Sequence, residues 1–194
     1  TPDRDLLGVL DALLTSLAGA GAEVKRAPGD PTEFDPAMVV RFLTPNLVAR
    51  ARQMSPGKQA MLESPFRELV ASSRYHPDAV DLQQLNLERS RTYERVESLL
   101  AGYDLILTPT VMTNPPLADR DEIVAVNGTE VDLSRWWSHL AIANMTGHPA
   151  ISIPAGFTRI GLPVGLHAIG PWDGEQDLLT LAGAVPALEP WNEA

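Results

Sequence analysis

The sequence predicts an α/β fold in which a sheet is buried between helices. Leucine-rich segments with helical spacing alternate with short apolar runs that end at proline or glycine, as expected for layered helices and strands. The length of 194 residues suffices for one sizeable domain, or at most two. A hydrophobic fraction of 44% and a charged fraction of 21% are ordinary for a globular protein.

The first segment predicts a helix followed by a short strand. Its leucines recur every three or four residues until Gly19 and Gly21 end the pattern, and they are Leu6, Leu7, Leu10, Leu13, Leu14 and Leu17. The run AEVKRAP, residues 22–28, then has the pattern of a short strand that leaves the helix.

Three more helical blocks precede Gly102. One covers about residues 36–53, and the next opens at Ser55, a plausible cap, and is broken or kinked at Pro65. The longest begins at about residue 76 and is stopped by Gly102. Its apolar side is predicted to consist of Val80, Leu82, Leu85, Leu87, Val96, Leu99 and Leu100.

Beyond Gly102 the pattern changes to short strands. YDLILTPT, residues 103–110, predicts a buried strand that ends at Pro109, and Asn127-Gly128 predicts a hairpin turn. A helix capped by Ser134 and stopped by Gly147 follows. Two strands and a last helix complete the pattern: AISIPAGF, PVGLHAIG, and a helix capped near Asp173 that breaks at Pro186.

Composition excludes several classes of function. A net charge of −10 argues against a nucleic-acid partner, and no apolar run reaches the length of a membrane span. The sequence contains no cysteine, which removes thiolate nucleophiles and cysteine-based metal sites and agrees with a cytoplasmic location. The histidines are not spaced as helical metal ligands, so we expect neither metal nor cofactor. For His148 and His167, ordinary hydrogen-bonded structure is favoured over catalysis.

The adjacent Trp136 and Trp137 allow two interpretations. Adjacent side chains on a helix point about 100° apart, so one indole could line a pocket while the other packs in the core. Packing of both in the core is the other interpretation, and it is the one that the residues alone favour.

Three ordered motifs from Tyr103 onward, over about 70 residues, resemble the C-terminal part of the amidase signature family. YDLILTPT resembles the strand of that family that ends in Thr-Pro. NMTGHPAISIPAGF, residues 144–157, resembles its N-x-T-G-x-P-A segment, and GLPVGLHAIG resembles the strand that follows. The resemblance implies a mixed β-sheet flanked by helices, incomplete here without an N-terminal half. It divides the chain into a mainly helical middle region, residues 1–102, and a sheet and pocket region, residues 103–194.

The resemblance also implies hydrolysis of carboxylic amides by a Ser–cis-Ser–Lys triad, in which one serine attacks the carbonyl. In the family these residues come from a Gly- and Ser-rich N-terminal signature. Here the only adjacent serines, Ser72 and Ser73, have no glycine nearby, and Ser152 lies in a strand-like run. No catalytic residue is therefore assigned to this chain, and we expect a partner, an N-terminal amidase half or another chain, to carry the serine and the lysine.

The positions that form the acyl-binding pocket in the family do have counterparts in this chain. The resemblance implies that an acyl-binding cleft is walled by Thr108, Pro109, Trp136, Trp137, Ile142 and Asn144. In the tRNA-dependent amidotransferase branch, a carboxylate seven positions before the turn asparagine binds a substrate amine. Trp137 occupies that position here, which favours a small-molecule amide with an apolar or aromatic acyl group. The alternative is a non-catalytic binding module or partner subunit.

Overall fold

The computed structural model describes residues 2–27, 36–71, 77–115, 123–132 and 138–188. In this part of the chain the helices are α1 Arg4–Gly19, α2 Pro36–Arg52, α3 Pro56–Ala60, α4 Ser64–Ala71, α5 Ala79–Leu100, α6 Ser138–Thr146 and α7 Glu175–Leu188. The strands are β1 Ile106–Pro109, β2 Ile123–Val126, β3 Thr129–Asp132, β4 Ala150–Phe157 and β5 Pro163–Ile169. The α/β class is confirmed.

The chain forms two compact units, Thr1–Glu33 with Thr92–Ala194, and Phe34–Arg91. The smaller unit contains α2, α3, α4 and the first half of α5, and α2 packs on α4. Within it the Gln59 side-chain amide donates hydrogen bonds to the backbone carbonyls of Ala51 and Met54, at 3.1 and 3.0 Å. The Arg89 guanidinium lies over the Phe42 ring, 5.7 Å from its centroid.

The larger unit contains a three-stranded antiparallel sheet in the order β1-β5-β4. Alternation along the strands gives this sheet two different faces. One, the apolar face, carries Ile153, Ala155, Val164 and Leu166 and packs against α1 and α7. The leucines of α1 at positions 6, 10, 13 and 17 and Val185 of α7 complete this core. The helical spacing of those leucines therefore exists because one side of α1 covers the sheet.

Glycines end α1 and α6 as the sequence predicts. After α1, the Gly21 N–H donates to the Ala18 carbonyl and the Ala22 N–H to the Leu17 carbonyl, which is the Schellman arrangement. Gly21 has a φ of +104°, a conformation that favours glycine. Gly147 follows α6 with a φ of +80° and donates to the Ala143 carbonyl.

The predicted hairpin is confirmed and is tied to the start of α1. Asn127 and Gly128, with φ of 51° and 79°, form a two-residue turn between β2 and β3. The Asn127 side-chain oxygen accepts the Arg4 N–H at 3.2 Å, and its amide donates to the Pro2 carbonyl at 3.1 Å. Asn127 therefore satisfies a free donor at the first turn of α1, where Asp3 makes no side-chain cap.

Four details differ from the sequence predictions. Residues 22–27 form no ladder with a described strand, so the strand over AEVKRAP is wrong for this structure. α7 continues through Pro186 to Leu188 rather than breaking there. The helix after Ser55 is interrupted at residues 61–63, and Pro65 is the second residue of α4, where the missing N–H costs little. On α5, Leu85, Val96 and Leu100 are buried, but Val80, Leu82 and Leu87 are exposed.

No helix among the described residues is long and apolar enough to cross a membrane.

Candidate functional site

The second face of the sheet, here called the polar face, carries hydroxyl and imidazole groups from all three strands. In the ladder, Thr108 on β1 and Ser152 on β4 both lie opposite His167 on β5, so the three residues form one row across the sheet. Directly opposed residues of antiparallel strands share a face. Thr110, just beyond β1, donates its backbone N–H to the Gly165 carbonyl and continues this face.

His167 is the titratable side chain at the middle of the polar face. Its side chain is buried, and its Nδ1 lies 3.3 Å from the buried Thr108 Oγ1 in a hydrogen bond whose donor depends on the imidazole tautomer. Burial lowers the pKa of His167 to about 4, with a smaller contribution from His139 of α6, which packs on β5. The imidazole is therefore neutral at neutral pH.

A pair of hydroxyls lies beside this row. Thr110 Oγ1 and Ser152 Oγ are 2.6 Å apart, and Gly165 lies beneath them. A Cβ atom on Gly165 would come within 2.5 Å of Thr110 Oγ1 and 3.1 Å of Ser152 Oγ. Only a residue without a side chain lets the two hydroxyls meet at this point of the sheet. Ser152 is exposed and Thr110 is half-buried.

The sequence-predicted pocket residues are distributed over both faces of the sheet and over α6. Thr108 lies on the polar face, but Pro109 lies opposite Leu166 and therefore on the apolar face. Ile142 is fully buried in α6, whereas Asn144, two positions later and about 200° around the helix, is exposed. Trp136 and Trp137 lie outside the described residues. The structure thus brings Thr108 together with His167, and it separates Thr108 from Pro109 and Ile142 from Asn144.

His148, in the turn after α6, is held by α5. Its Nδ1 lies 2.8 Å from Thr146 Oγ1 and its Nε2 2.8 Å from a carboxylate oxygen of Glu97. Tyr93 stacks on the imidazole with the ring centroids 5.2 Å apart and meets Trp172 edge to face at 6.4 Å. Both nitrogens of His148 are engaged by protein groups, so the histidine fixes the turn to α5.

The described hydroxyls of the polar face are bonded to each other or to His167. A serine nucleophile needs a base that takes its proton, and the hydrogen bond of Ser152 goes to a second hydroxyl instead. Thr108 does touch an imidazole, but both of these groups are buried among the described residues. Among the described residues, no three His, Asp or Glu side chains are grouped so that they could hold a metal ion.

Sequence reasoning did not find the polar face, although its members were visible one at a time. Ser152 and His167 belong to the two strands predicted in the sequence, and Thr110 to the run YDLILTPT. The available signal was the two-residue alternation along each strand. It tells which residues of one strand share a face, but not which residues of the next strand lie beside them. The register that aligns the strands with each other is a tertiary property.

Comparisons with known proteins agree with the fold. A family model described as Amidase matches residues 13–179. A bacterial aryl acylamidase described as belonging to the amidase signature enzymes superposes with a TM-score of 0.81 at 20% identity, over 100% of this chain and 42% of the acylamidase. No curated protein sequence matches the chain.

Two further solved structures give the same result. A 6-aminohexanoate cyclic dimer hydrolase superposes with a TM-score of 0.74 at 20% identity, over 98% of this chain and 42% of the hydrolase. The allophanate hydrolase of Kluyveromyces lactis superposes with a TM-score of 0.75 at 21% identity, over 99% of this chain and 30% of that enzyme. The chain therefore spans less than half the length of each of these structures.

Proposed function

This chain belongs to the amidase signature family, and we propose that it is the C-terminal half, or a subunit, of an enzyme that hydrolyses carboxylic amide C–N bonds. The observation that carries this proposal is the family match over residues 13–179, together with a chain that spans only 42% of the bacterial aryl acylamidase. In this proposal an N-terminal half, on the same polypeptide or on another chain, supplies the Ser–cis-Ser–Lys triad.

Within the assembled enzyme, this chain contributes core and one wall of the acyl-binding cleft. The wall residues that we propose are Thr108, Pro109, Trp136, Trp137, Ile142 and Asn144. Two observations support parts of this set: the hydrogen bond to His167 fixes the side chain of Thr108, and Asn144 is exposed on α6 and accessible to a ligand.

The proposed substrate is a small-molecule amide with an apolar or aromatic acyl group. The support is Trp137, because an indole in the place of a carboxylate favours an apolar surface over a charged amine. The structural likeness to an enzyme described as an aryl acylamidase agrees with this choice. We also propose a cytoplasmic location for the assembled enzyme, which the lack of cysteine favours.

The first test is whether catalysis needs a second polypeptide segment. We expect the 194-residue chain to show no turnover of a simple aryl amide, and we expect turnover from protein that also contains a segment with the lysine and the serine-rich signature. Intact-mass analysis of purified protein identifies that segment. Hydrolysis by the chain alone that is abolished by Ser152→Ala would contradict the proposal. A complete gene without the signature would favour the non-catalytic binding module instead.

The second test concerns Trp137 in the assembled enzyme. If its indole lines the acyl cleft, Trp137→Ala raises KM for an aryl amide by about tenfold, which corresponds to about 1.4 kcal/mol of lost binding. KM for a short aliphatic amide should change less, because that acyl group covers less of the indole. Trp172→Ala is the matched control, since Trp172 is exposed and meets Tyr93 edge to face. Unchanged KM and kcat for both substrates would mean that the Trp137 indole packs in the core and does not line the cleft.

A further inference from the structure

The turn between β2 and β3 contains a chemically reactive pair of residues, Asn127 and Gly128. Both residues are exposed, and a Cβ atom on Gly128 would have nothing within 4 Å. Asparagine is one of the residues that change chemically as a protein ages. Its side-chain carbonyl carbon is attacked by the backbone nitrogen of the next residue, and glycine allows this attack best because it has no side chain that shields the nitrogen.

Both polar atoms of the Asn127 side chain are bonded to the segment that precedes α1. The Oδ1 atom accepts the Arg4 N–H at 3.2 Å, and the Nδ2 atom donates to the Pro2 carbonyl at 3.1 Å. The same segment is held by the loop after β1, because the Asp3 N–H donates to the Met112 carbonyl at 2.7 Å. The reactive side chain is therefore part of a hydrogen-bonded contact between three parts of the chain.

Thr113 joins these three parts. Its hydroxyl lies 3.1 Å from a carboxylate oxygen of Asp3 and 2.8 Å from the Ala125 carbonyl in β2, and its side chain is buried. Residues 2–4, 112–113 and 125–127 are here called the α1 junction. A bond made by Asn127 at one side of this junction depends on the others, because the same short segment takes part in all of them.

We infer that Asn127 is a self-modification site whose rate of deamidation is set by the α1 junction. In this reaction the Gly128 backbone nitrogen bonds to Cγ of Asn127, and the side-chain nitrogen leaves as ammonia with the proton that the backbone nitrogen gives up. One water molecule then opens the cyclic imide at either carbonyl, which yields aspartate or isoaspartate. Because Pro2 and Arg4 hold the amide, the junction must open before Cγ is attacked.

The product no longer fits the junction. An aspartate at position 127 keeps an acceptor for the Arg4 N–H, but it has no donor for the Pro2 carbonyl and places a carboxylate against that oxygen. An isoaspartate also lengthens the backbone of the two-residue turn. The first backbone hydrogen bond of α1, from the Leu7 N–H to the Asp3 carbonyl, starts from this segment. We therefore expect faster hydrogen exchange at the Arg4 and Leu7 amides after modification.

The experiment is an ageing time course followed by peptide mapping. Protein that shows a cooperative urea transition is kept in mildly alkaline buffer, native or unfolded in urea, and mass spectrometry quantifies the acid form of each asparagine. Asn86 and Asn144 are internal controls, since both are exposed and are followed by larger residues. We expect Asn127 to convert first in both samples, and at least about fivefold more slowly in the native one because the junction must open.

A variant tests the junction directly. Thr113→Val keeps the branched shape and removes the hydroxyl, so it should raise the native rate at Asn127 by about fivefold, as expected for one lost hydrogen bond, and leave the rate in urea unchanged. Thr180→Val is the matched control, because the Thr180 hydroxyl also donates to a backbone carbonyl but lies exposed on α7. It should change neither rate.

Each part of the inference can fail separately. If Asn127 converts no faster than Asn86 and Asn144, it is not a modification site and the inference is overturned. If it converts equally fast in native and in urea-unfolded protein, the junction does not set the rate and the inference is again wrong. The native and urea samples use no variant, so they decide the matter even where Thr113→Val does not fold. None of these measurements requires an N-terminal half, so the result is independent of the proposed function.

Discussion

The two faces of the three-stranded sheet differ in residue type and in covering. The apolar face is covered by α1 and α7, and its side chains join a cluster of leucine, isoleucine, valine and alanine. The polar face carries Thr108, Thr110, Ser152 and His167 beside the buried Ile106 and Ile169, and Ser152 at its β4 edge is exposed. Burial of apolar surface is the main stabilising contribution to a fold. The comparison therefore predicts that the largest single losses of stability come from the apolar face, and that the polar face makes stability depend on pH through His167.

The largest expected effect tests the apolar face. Leu13 on α1 is 0% exposed and lies in the middle of the leucine series. Leu13→Ala should lower the free energy of unfolding by about 2–5 kcal/mol, since it removes buried methyl groups and leaves a cavity. Urea denaturation measures the loss. The matched control is Leu179→Ala on α7, where the leucine is 60% exposed and the change should stay within about 0.5 kcal/mol. Equal losses at the two positions would show that the apolar face does not dominate stability.

The next effect belongs to the polar face and depends on pH. Because the pKa of His167 is about 4 in the folded chain and 6.5 as a free side chain, the unfolded chain binds more protons between these values. The free energy of unfolding therefore rises with pH across this window. Above pH 6.5 protonation of His167 takes nothing from the free energy of unfolding. As the pH falls to 4, the free energy of unfolding decreases by roughly 3 kcal/mol because the unfolded chain takes up the proton first.

Urea unfolding of the unsubstituted chain and of His167→Gln at pH 7.5, 6.0 and 4.5 measures this contribution. We expect the unsubstituted chain to lose more stability than the variant as the pH falls. His139→Asn removes only the smaller of the two causes, so it should raise the pKa of His167 part of the way. An NMR titration of His167 that gives a pKa near 6.5 would show that the imidazole is not buried as described.

The apolar face could be predicted from the sequence because its signals are local. The leucines of α1 and the apolar runs of β1, β4 and β5 each carry their own periodicity, and Asn127-Gly128 and Gly147 carry their own turn chemistry. The exposed Val80, Leu82 and Leu87 of α5 show the limit of this reasoning, because periodicity gives the side of a helix but not how much of it is covered.

The polar face could not be predicted, because it depends on the alignment of three strands. The runs YDLILTPT and PVGLHAIG do not indicate that Thr108 lies opposite His167 while Pro109 lies opposite Leu166. A shift of one residue would exchange the two faces. A strand over residues 22–28 was predicted from the local pattern, but residues 22–27 have no ladder with a described strand. A strand also requires a partner, which a local pattern does not give.

The smallest of the three effects tests how closely the strands of the polar face approach. Gly165→Ala places a Cβ atom 2.5 Å from Thr110 Oγ1, so the hydroxyl pair with Ser152 must separate. We expect a loss of about 1–3 kcal/mol in the free energy of unfolding, measured with urea, as for other overpacked sites. Gly183→Ala is the matched control: nothing lies within 4 Å of its Cβ position in α7, and alanine should stabilise that helix by about 0.5–1 kcal/mol.

A double-mutant cycle with Thr110→Ala identifies the cause of that loss. If the clash with Thr110 Oγ1 is responsible, Gly165→Ala should cost less in the Thr110→Ala background, although the Thr110 Cβ at 3.0 Å still limits the recovery. Additive losses would mean that the cost arises elsewhere, and Gly165 would then not be required for the contact between the two hydroxyls. A clear interaction energy would instead show that the polar face, like the apolar face, is specified by close packing, here between hydroxyl groups around a glycine.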